Sequence, residues 1–361
     1  MAGELAAEPA APSPVAGRAD LPLLGLLAVG HAVTDSYGHS LLAPMFPDLA
    51  TRLGLSLAQV GALPMVMGLS ASLAQPLLGW VSDRYPRLCL VALGPLLASL
   101  LIGFVGHART FWELSLLLFL AGIGIGAYHP QGAMLARRAG RGSSLAMSAF
   151  TVGGNIGFGL APLLGGLYVL WFGLERLYFA ALPATVFAAL MLAAFYSGSA
   201  QPVERRERNA APPGKSNPLA LAALTATVVV RSGVQIGMIT FLPFLIQQRF
   251  PVGQHGSVRG IAVSAFLLAG ALAGPLGGHL SDRMGRKRLM VWSFLLAPWP
   301  MLLAFQLPGF ALIGALSIGS FILMLPHPGN VVMAQELMPR SAGIAASLIT
   351  GLAFGIAQIL A

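Results

Sequence analysis

Along most of this chain, runs of about 19 to 30 residues pass with hardly a charged side chain, separated by short polar segments. A helix needs about 20 apolar residues to cross a bilayer. The runs predict about eleven spans, near 21–46, 57–82, 88–106, 111–136, 143–172, 174–197, 218–247, 259–281, 288–306, 310–335 and 341–361. Charged residues make up 9% of the 361, against about 25% in soluble domains. So few charges cannot cover a water-facing surface, and an all-α integral membrane protein is expected. Disorder, coiled coil and a disulfide-stapled scaffold are excluded, and one cysteine, Cys89, forms neither an internal disulfide nor a CxxC motif.

Basic residues set the expected orientation. One set of alternate loops, with the N-terminus, holds Arg18, Arg84, Arg87, Arg137, Arg138, Arg141, Arg205, Arg206, Arg208, Lys215, Arg283, Arg286, Lys287, Arg288 and Arg340. The other set holds Arg52, Arg109, Arg176, Arg249 and Arg259. The positive-inside rule makes the first set cytoplasmic. The net charge of +9 is thereby a loop property, and no nucleic-acid partner is expected. Residues 1–20 lack a basic start followed by an apolar core, so they read as a disordered cytoplasmic tail rather than a signal peptide.

The chain repeats itself. GWVSDRYPR (Gly79–Arg87) returns as GHLSDRMGR (Gly278–Arg286), offset by 199, and His129-Pro130 returns as His327-Pro328, offset by 198. Pro44 in the first span matches Pro243 in the seventh. Both copies lie on the same side, which makes a parallel repeat of two helical bundles, 21–197 and 218–361, joined by the charged, Pro-rich linker 198–217.

Gly-x3-Asp-Arg-x2-Arg, repeated, resembles the signature of the major facilitator superfamily. HAVTDSYGHSLLAPMFP, QPLLGWVSD, YHPQGAMLA and SAFTVGGNIGFGLAP resemble its fosmidomycin-resistance-type efflux subfamily. The resemblance covers residues 25–361 and implies two six-helix bundles. Shifting 174–197 by 198 puts a twelfth helix at 372–395, beyond Ala361, so a six-plus-five arrangement is expected. It also implies that Gly79, Asp83, Arg84 and Arg87, with Gly278, Asp282, Arg283 and Arg286, latch one transport state from the cytoplasmic side.

Within the spans only Asp35 and Arg231 place a charge deep in the membrane, where a charge costs at least about 2.5–3.5 kcal/mol. Asp35 lies about 14 residues, roughly 21 Å, into its span. His31, Asp35 and His39 share an i, i+4, i+8 spacing and are expected on one helix face. Asp35, assisted by His31, is read as the proton-coupling group; the alternative is a static brace of Asp35 with His31 or Arg231. Arg231 and Gln235, i and i+4 on the seventh span, suit an anionic substrate, because a guanidinium binds carboxylate, phosphate or phosphonate in bidentate fashion. Prolines 130 and 328 free carbonyls inside helices, so His129 and His327 are substrate candidates or partners of those carbonyls. His39, Gln75, Asn155 and Asn330 are further candidates, with interhelical packing as the alternative.

A proton-coupled exporter of a small drug or organic anion is expected, in the bacterial inner membrane and acting as a monomer. The alternatives are proton-coupled uptake and a non-transporting scaffold or sensor. GxxxxGK[ST], HExxH and GxSxG are absent, so neither ATP, zinc-hydrolase nor serine-hydrolase chemistry is indicated. No cofactor is expected. His31 and Asp35 are two metal ligands on one helix, too few for a site.

Overall fold

A computed structural model describes residues 19–85, 89–141, 143–197, 216–251, 255–341, 345 and 348–360. The expected tail through Arg18, most of the linker (198–215) and Arg87 lie outside the described residues, as does the side chain of Asp83. Among the described residues helix is the only regular structure, and every expected span corresponds to a helical segment.

The N-terminal half contains α1 (Leu21–Ser36), α2 (His39–Leu42), α3 (Phe46–Leu53), α4 (Leu57–Arg84), α5 (Leu90–Gly103), α6 (Phe111–Ala139), α7 (Ser144–Phe172) and α8 (Leu182–Tyr196). Starts follow local chemistry. Asp20 accepts the Leu23 N–H at α1, Ser56 and Gln59 form a reciprocal capping box at α4, and Thr110 caps α6. The C-terminal half contains α9 (Pro218–Arg249), α10 (His255–Met284), α11 (Arg286–Leu296), α12 (Pro298–Ala304), α13 (Gly309–Met324), α14 (His327–Leu337) and α15 (Ala353–Leu360), the last preceded by a π-helical turn over Leu348–Leu352.

Among the described residues eight helical segments are long and apolar enough to cross a membrane, and Leu21–Ser36 is a shorter apolar one. Three expected spans are interrupted. The first breaks at Tyr37-Gly38, so His39 opens a new helix rather than continuing the face of His31 and Asp35. The ninth breaks at Ala297 before Pro298, and the tenth at Leu325-Pro326 before His327-Pro328. Proline lacks the N–H that would continue each helix. With Leu325 and Pro326 still in right-handed helical conformation, the expected kink at His327 is a local break in the helical hydrogen bonding. Its counterpart Pro130 stays within an unbroken α6.

Small residues set the packing. An added Cβ at Gly153 or Gly157 of α7 would stand 2.2 or 2.0 Å from the carbonyl oxygens of Ala28 and Ala32. Only glycine lets α7 come that close to α1. The two halves touch mainly toward the base-poor end. There an added Cβ at Gly260 would lie 2.6 Å from the Pro162 carbonyl oxygen, and the Leu163 N–H donates to Ser264 Oγ at 2.9 Å. Deeper in the bundle, Gln358 of α15 lies over Gly68 of α4.

Candidate functional site

Asp35 sits one residue before the end of α1 with an imidazole on either side. His31 Nε2 is 3.3 Å from Asp35 Oδ2, and His129 Nε2 from α6 is 3.5 Å from Oδ1. The close approach of α7 completes the pocket. Phe150 stacks on the His31 ring with centroids 4.2 Å apart, and its carbonyl lies 2.9 Å from His31 Nδ1. Tyr128 Oη donates to the Leu27 carbonyl at 2.6 Å, holding α6 against α1 one turn from His31. Gly154 leaves the space these groups occupy: a Cβ there would fall 2.6 Å from Asp35 Oδ2 and 2.7 Å from the His31 ring. The His31, Asp35 and His129 side chains keep 12%, 22% and 27% of their surface exposed, so the cluster is reachable rather than sealed.

This geometry constrains the cluster chemically. The Phe150 carbonyl only accepts, so His31 Nδ1 carries the hydrogen, and the Nε2 of a neutral ring then offers a lone pair. A carboxylate also only accepts. Two acceptors at 3.3 Å repel unless a cation or proton lies between them, so the cluster is built to hold one.

Arg231 occupies a separate centre. Its Nη1 donates to His327 Nδ1 at 2.9 Å and to Met324 Sδ at 3.3 Å, and its Nη2 to Ser232 Oγ at 3.1 Å. Since arginine only donates, His327 is neutral with its hydrogen on Nε2. Arg231 is buried and its Nε has no hydrogen-bond partner. Among the described residues no carboxylate lies within ion-pair distance of it. The Asp35–Arg231 brace weighed from the sequence is therefore absent. Each half instead brings the histidine of its His-Pro motif to the charged side chain of its own first helix, acidic in one half and basic in the other.

The remaining candidates scatter. His39 is buried, with Nε2 unpartnered and its ring 5.5 Å from Phe158 and 6.5 Å from Phe354 of α15. It stands beside the contact between the halves, away from Asp35, because the chain turns at Gly38. Gln75 and Gln235 are half-buried, Asn155 is exposed, and Asn330 is buried with Nδ2 unpartnered. At the base-rich end Arg84, Asp282 and Arg283 are exposed, and Arg286 bonds Glu336 within the C-terminal half. Gly79 lies against Pro130, whereas Gly278 meets nothing within 4 Å.

Two ion pairs were not visible in the spacing of the sequence, Arg286–Glu336 within the C-terminal half and a second across the halves. Arg259 of α10 holds Asp48 of α3 with both terminal guanidinium nitrogens, at 3.0 and 3.1 Å, across the two halves. Its only sequence signal was that Asp48 is among the few acids at a span end.

The chain is similar to the uncharacterized MFS-type transporter YfnC of Bacillus subtilis, 29% identical over 352 residues, 94% of this chain and 84% of the relative. It is 27% identical over 361 residues to the fosmidomycin resistance protein of Escherichia coli, 96% of this chain and 88% of the relative. In fold it is similar to the inward-facing, unoccupied bacterial homologue of the human lysosomal transporter Spinster, with TM-score 0.73, 18% identity and 94% and 80% of the two chains covered. It is likewise similar to the nucleoside transporter NupG, with TM-score 0.73, 16% identity and 94% and 88% covered. Residues 31–361 match the Major Facilitator Superfamily, and the chain belongs to that family of multi-pass membrane transporters.

Proposed function

We propose that this chain is a proton-coupled exporter of a small organic anion in the bacterial inner membrane, with its N-terminus and base-rich loops cytoplasmic. Its two halves, 21–197 and 218–361, alternate access by rocking about their contact. The observation that carries the reading is the facing pair of acceptors, His31 Nε2 and Asp35 Oδ2, 3.3 Å apart with His129 behind them. Such a pair takes up a proton in one state and releases it in another, when His129 or the solvent access shifts.

Arg231 supplies the second element. A buried guanidinium with only neutral partners is costly, and an anionic substrate entering its centre would provide the missing counter-charge. The name of the E. coli relative supports a drug such as the phosphonate fosmidomycin, and the bidentate geometry of arginine fits phosphonate or carboxylate. Gln235, His327 and Asn330 would complete that centre, and Gln75, Asn155 and His39 would line the route between the halves. The repeated motifs at Gly79–Arg87 and Gly278–Arg286 would latch the opposite state, in which the base-rich end closes.

The test uses inside-out vesicles with an acidified lumen and a pH-sensitive dye. Adding fosmidomycin or another organic anion outside should drive protons out of the lumen, and Asp35→Asn should abolish the signal. An undiminished signal in that variant sinks the coupling assignment. Proton movement only when the anion is loaded inside the vesicles indicates uptake instead.

A further inference from the structure

Two ligands on one helix do not make a metal site, but the fold adds a third. His31 Nε2, an Asp35 carboxylate oxygen and His129 Nε2 all lie within 4.8 Å of one another. Ligands about 2.0–2.1 Å from a tetrahedral ion stand about 3.3–3.4 Å apart. His31 Nε2 is 3.3 Å from Asp35 Oδ2 and His129 Nε2 is 3.5 Å from Oδ1, each close to that edge, and a rotation of the carboxylate would present one oxygen to both imidazoles. We propose that this triad binds one divalent first-row transition-metal ion, zinc above all, between Asp35 and the two histidines.

The donor set argues for the class of ion. Two imidazole nitrogens and one carboxylate oxygen suit zinc and its neighbours, whereas calcium and magnesium take oxygen ligands. The surroundings argue for a built site. The Phe150 carbonyl on His31 Nδ1 fixes the tautomer and aims the Nε2 lone pair at Asp35, the arrangement that orients metal-bound histidines. The Phe150 ring, stacked on His31, and Tyr128, 5.8 Å from it, form an apolar wall that strengthens charge interactions within. The partial exposure of all three side chains leaves a fourth coordination position open to water or to an anionic group of a passing molecule. A dication beside one carboxylate carries a net positive charge, so such a group would be attracted. The ion and the proton occupy the same place and exclude each other, because the ligands bind metal only when deprotonated. The inference does not depend on the exporter reading: the triad holds a metal whether or not Asp35 carries a transported proton.

The test uses the purified, tag-free, metal-stripped chain in detergent, with Co2+ as the spectroscopic probe and Zn2+ as its competitor. One Co2+ per chain should bind with the visible absorption of a low-coordinate ion, release protons on binding, and be displaced by one Zn2+. Asp35→Asn and His129→Gln should each weaken Zn2+ binding at least tenfold. His129→Cys should retain Co2+ and add a thiolate-to-metal charge-transfer band, provided its melting and elution match the parent. Zn2+ affinity unchanged in both weakening variants would place the ion elsewhere, for instance on the exposed His107 or His279, and overturn the proposal. So would the absence of a visible Co2+ spectrum. Proton exchange in metal-free vesicles is read separately. Metal binding without exchange sinks the exporter reading alone, and exchange without metal binding sinks this one alone.

Discussion

Arg259 of α10 and Asp48 of α3 form a three-bond pair that fastens the two halves together at the base-poor end. The arginine side chain is 7% exposed and the aspartate 44%. Water therefore screens the acid while the guanidinium is largely enclosed. For this end to open, the pair must part.

Asp48→Asn removes the charge and should loosen that end. A hydrogen bond to a charged group contributes about 1.5–3 kcal/mol, and the exposure of Asp48 places the effect at the lower limit, about tenfold in the closed-to-open ratio. Ser264→Cys puts a thiol in the seam, and Cys89, the only native cysteine, is buried. Labelling of that thiol by a membrane-impermeant maleimide should run about tenfold faster in the Asp48→Asn background. Equal rates would mean that the pair is not a seal.

Two glycines one turn apart on α7 should fail differently. The Cβ of Gly157→Ala would meet the Ala32 backbone at 2.0 Å, which a side-chain rotation cannot relieve. Overpacking of this kind costs about 1–3 kcal/mol, and a lower melting temperature is expected. The Cβ of Gly154→Ala would meet the movable side chains of Asp35 and His31. Melting should change less, while substrate-driven proton exchange measured with the dye should fall sharply. Normal exchange in Gly154→Ala would argue against a tight geometric requirement at the cluster.

Arg231 should trade stability against binding. Replacing an inadequately paired buried charge with an apolar side chain of similar volume is often neutral or stabilising. Arg231→Met should therefore melt no lower than the parent while its KM for an anionic substrate rises about tenfold or more. A large drop in melting temperature would make Arg231 a structural group.

At the base-rich end, Asp83→Ala should slow turnover more than it weakens substrate affinity if the repeated motif is a latch. Vesicle uptake rates compared with equilibrium binding check this. A defect confined to binding would exclude that role.

Much of the architecture was legible in the chain itself. Apolar run lengths marked the spans, and the repeats at offsets of 198 and 199 paired the halves. Asp35 and Arg231 stood out because charge in an apolar run is costly. What was hidden is how each helix is rotated and where it breaks. A helix apolar on every side has no amphipathic stripe to reveal its facing. Accordingly the meeting of Asp35 with His129, 94 residues away, and of Asp48 with Arg259, 211 away, could not be read from spacing. The Tyr37-Gly38 break likewise defeated the regular i+8 register that placed His39 with Asp35.

That break has a mechanical consequence. Before it, α1 rests against α5, α6, α7 and α8 of its own half; beyond it, α2 still lies on α7, the turn over Ala43–Met45 touches α7 as well as α9 and α10, and α3 touches α4 as well as α9. A continuous rod would transmit every tilt of its far end straight to the carboxylate. With an elbow two residues past Asp35, the segment that touches both bundles can pivot at the joint while the acid keeps its distances to both imidazoles. A single glycine-containing joint thus separates the segment that bridges the bundles from the helix that carries the acid.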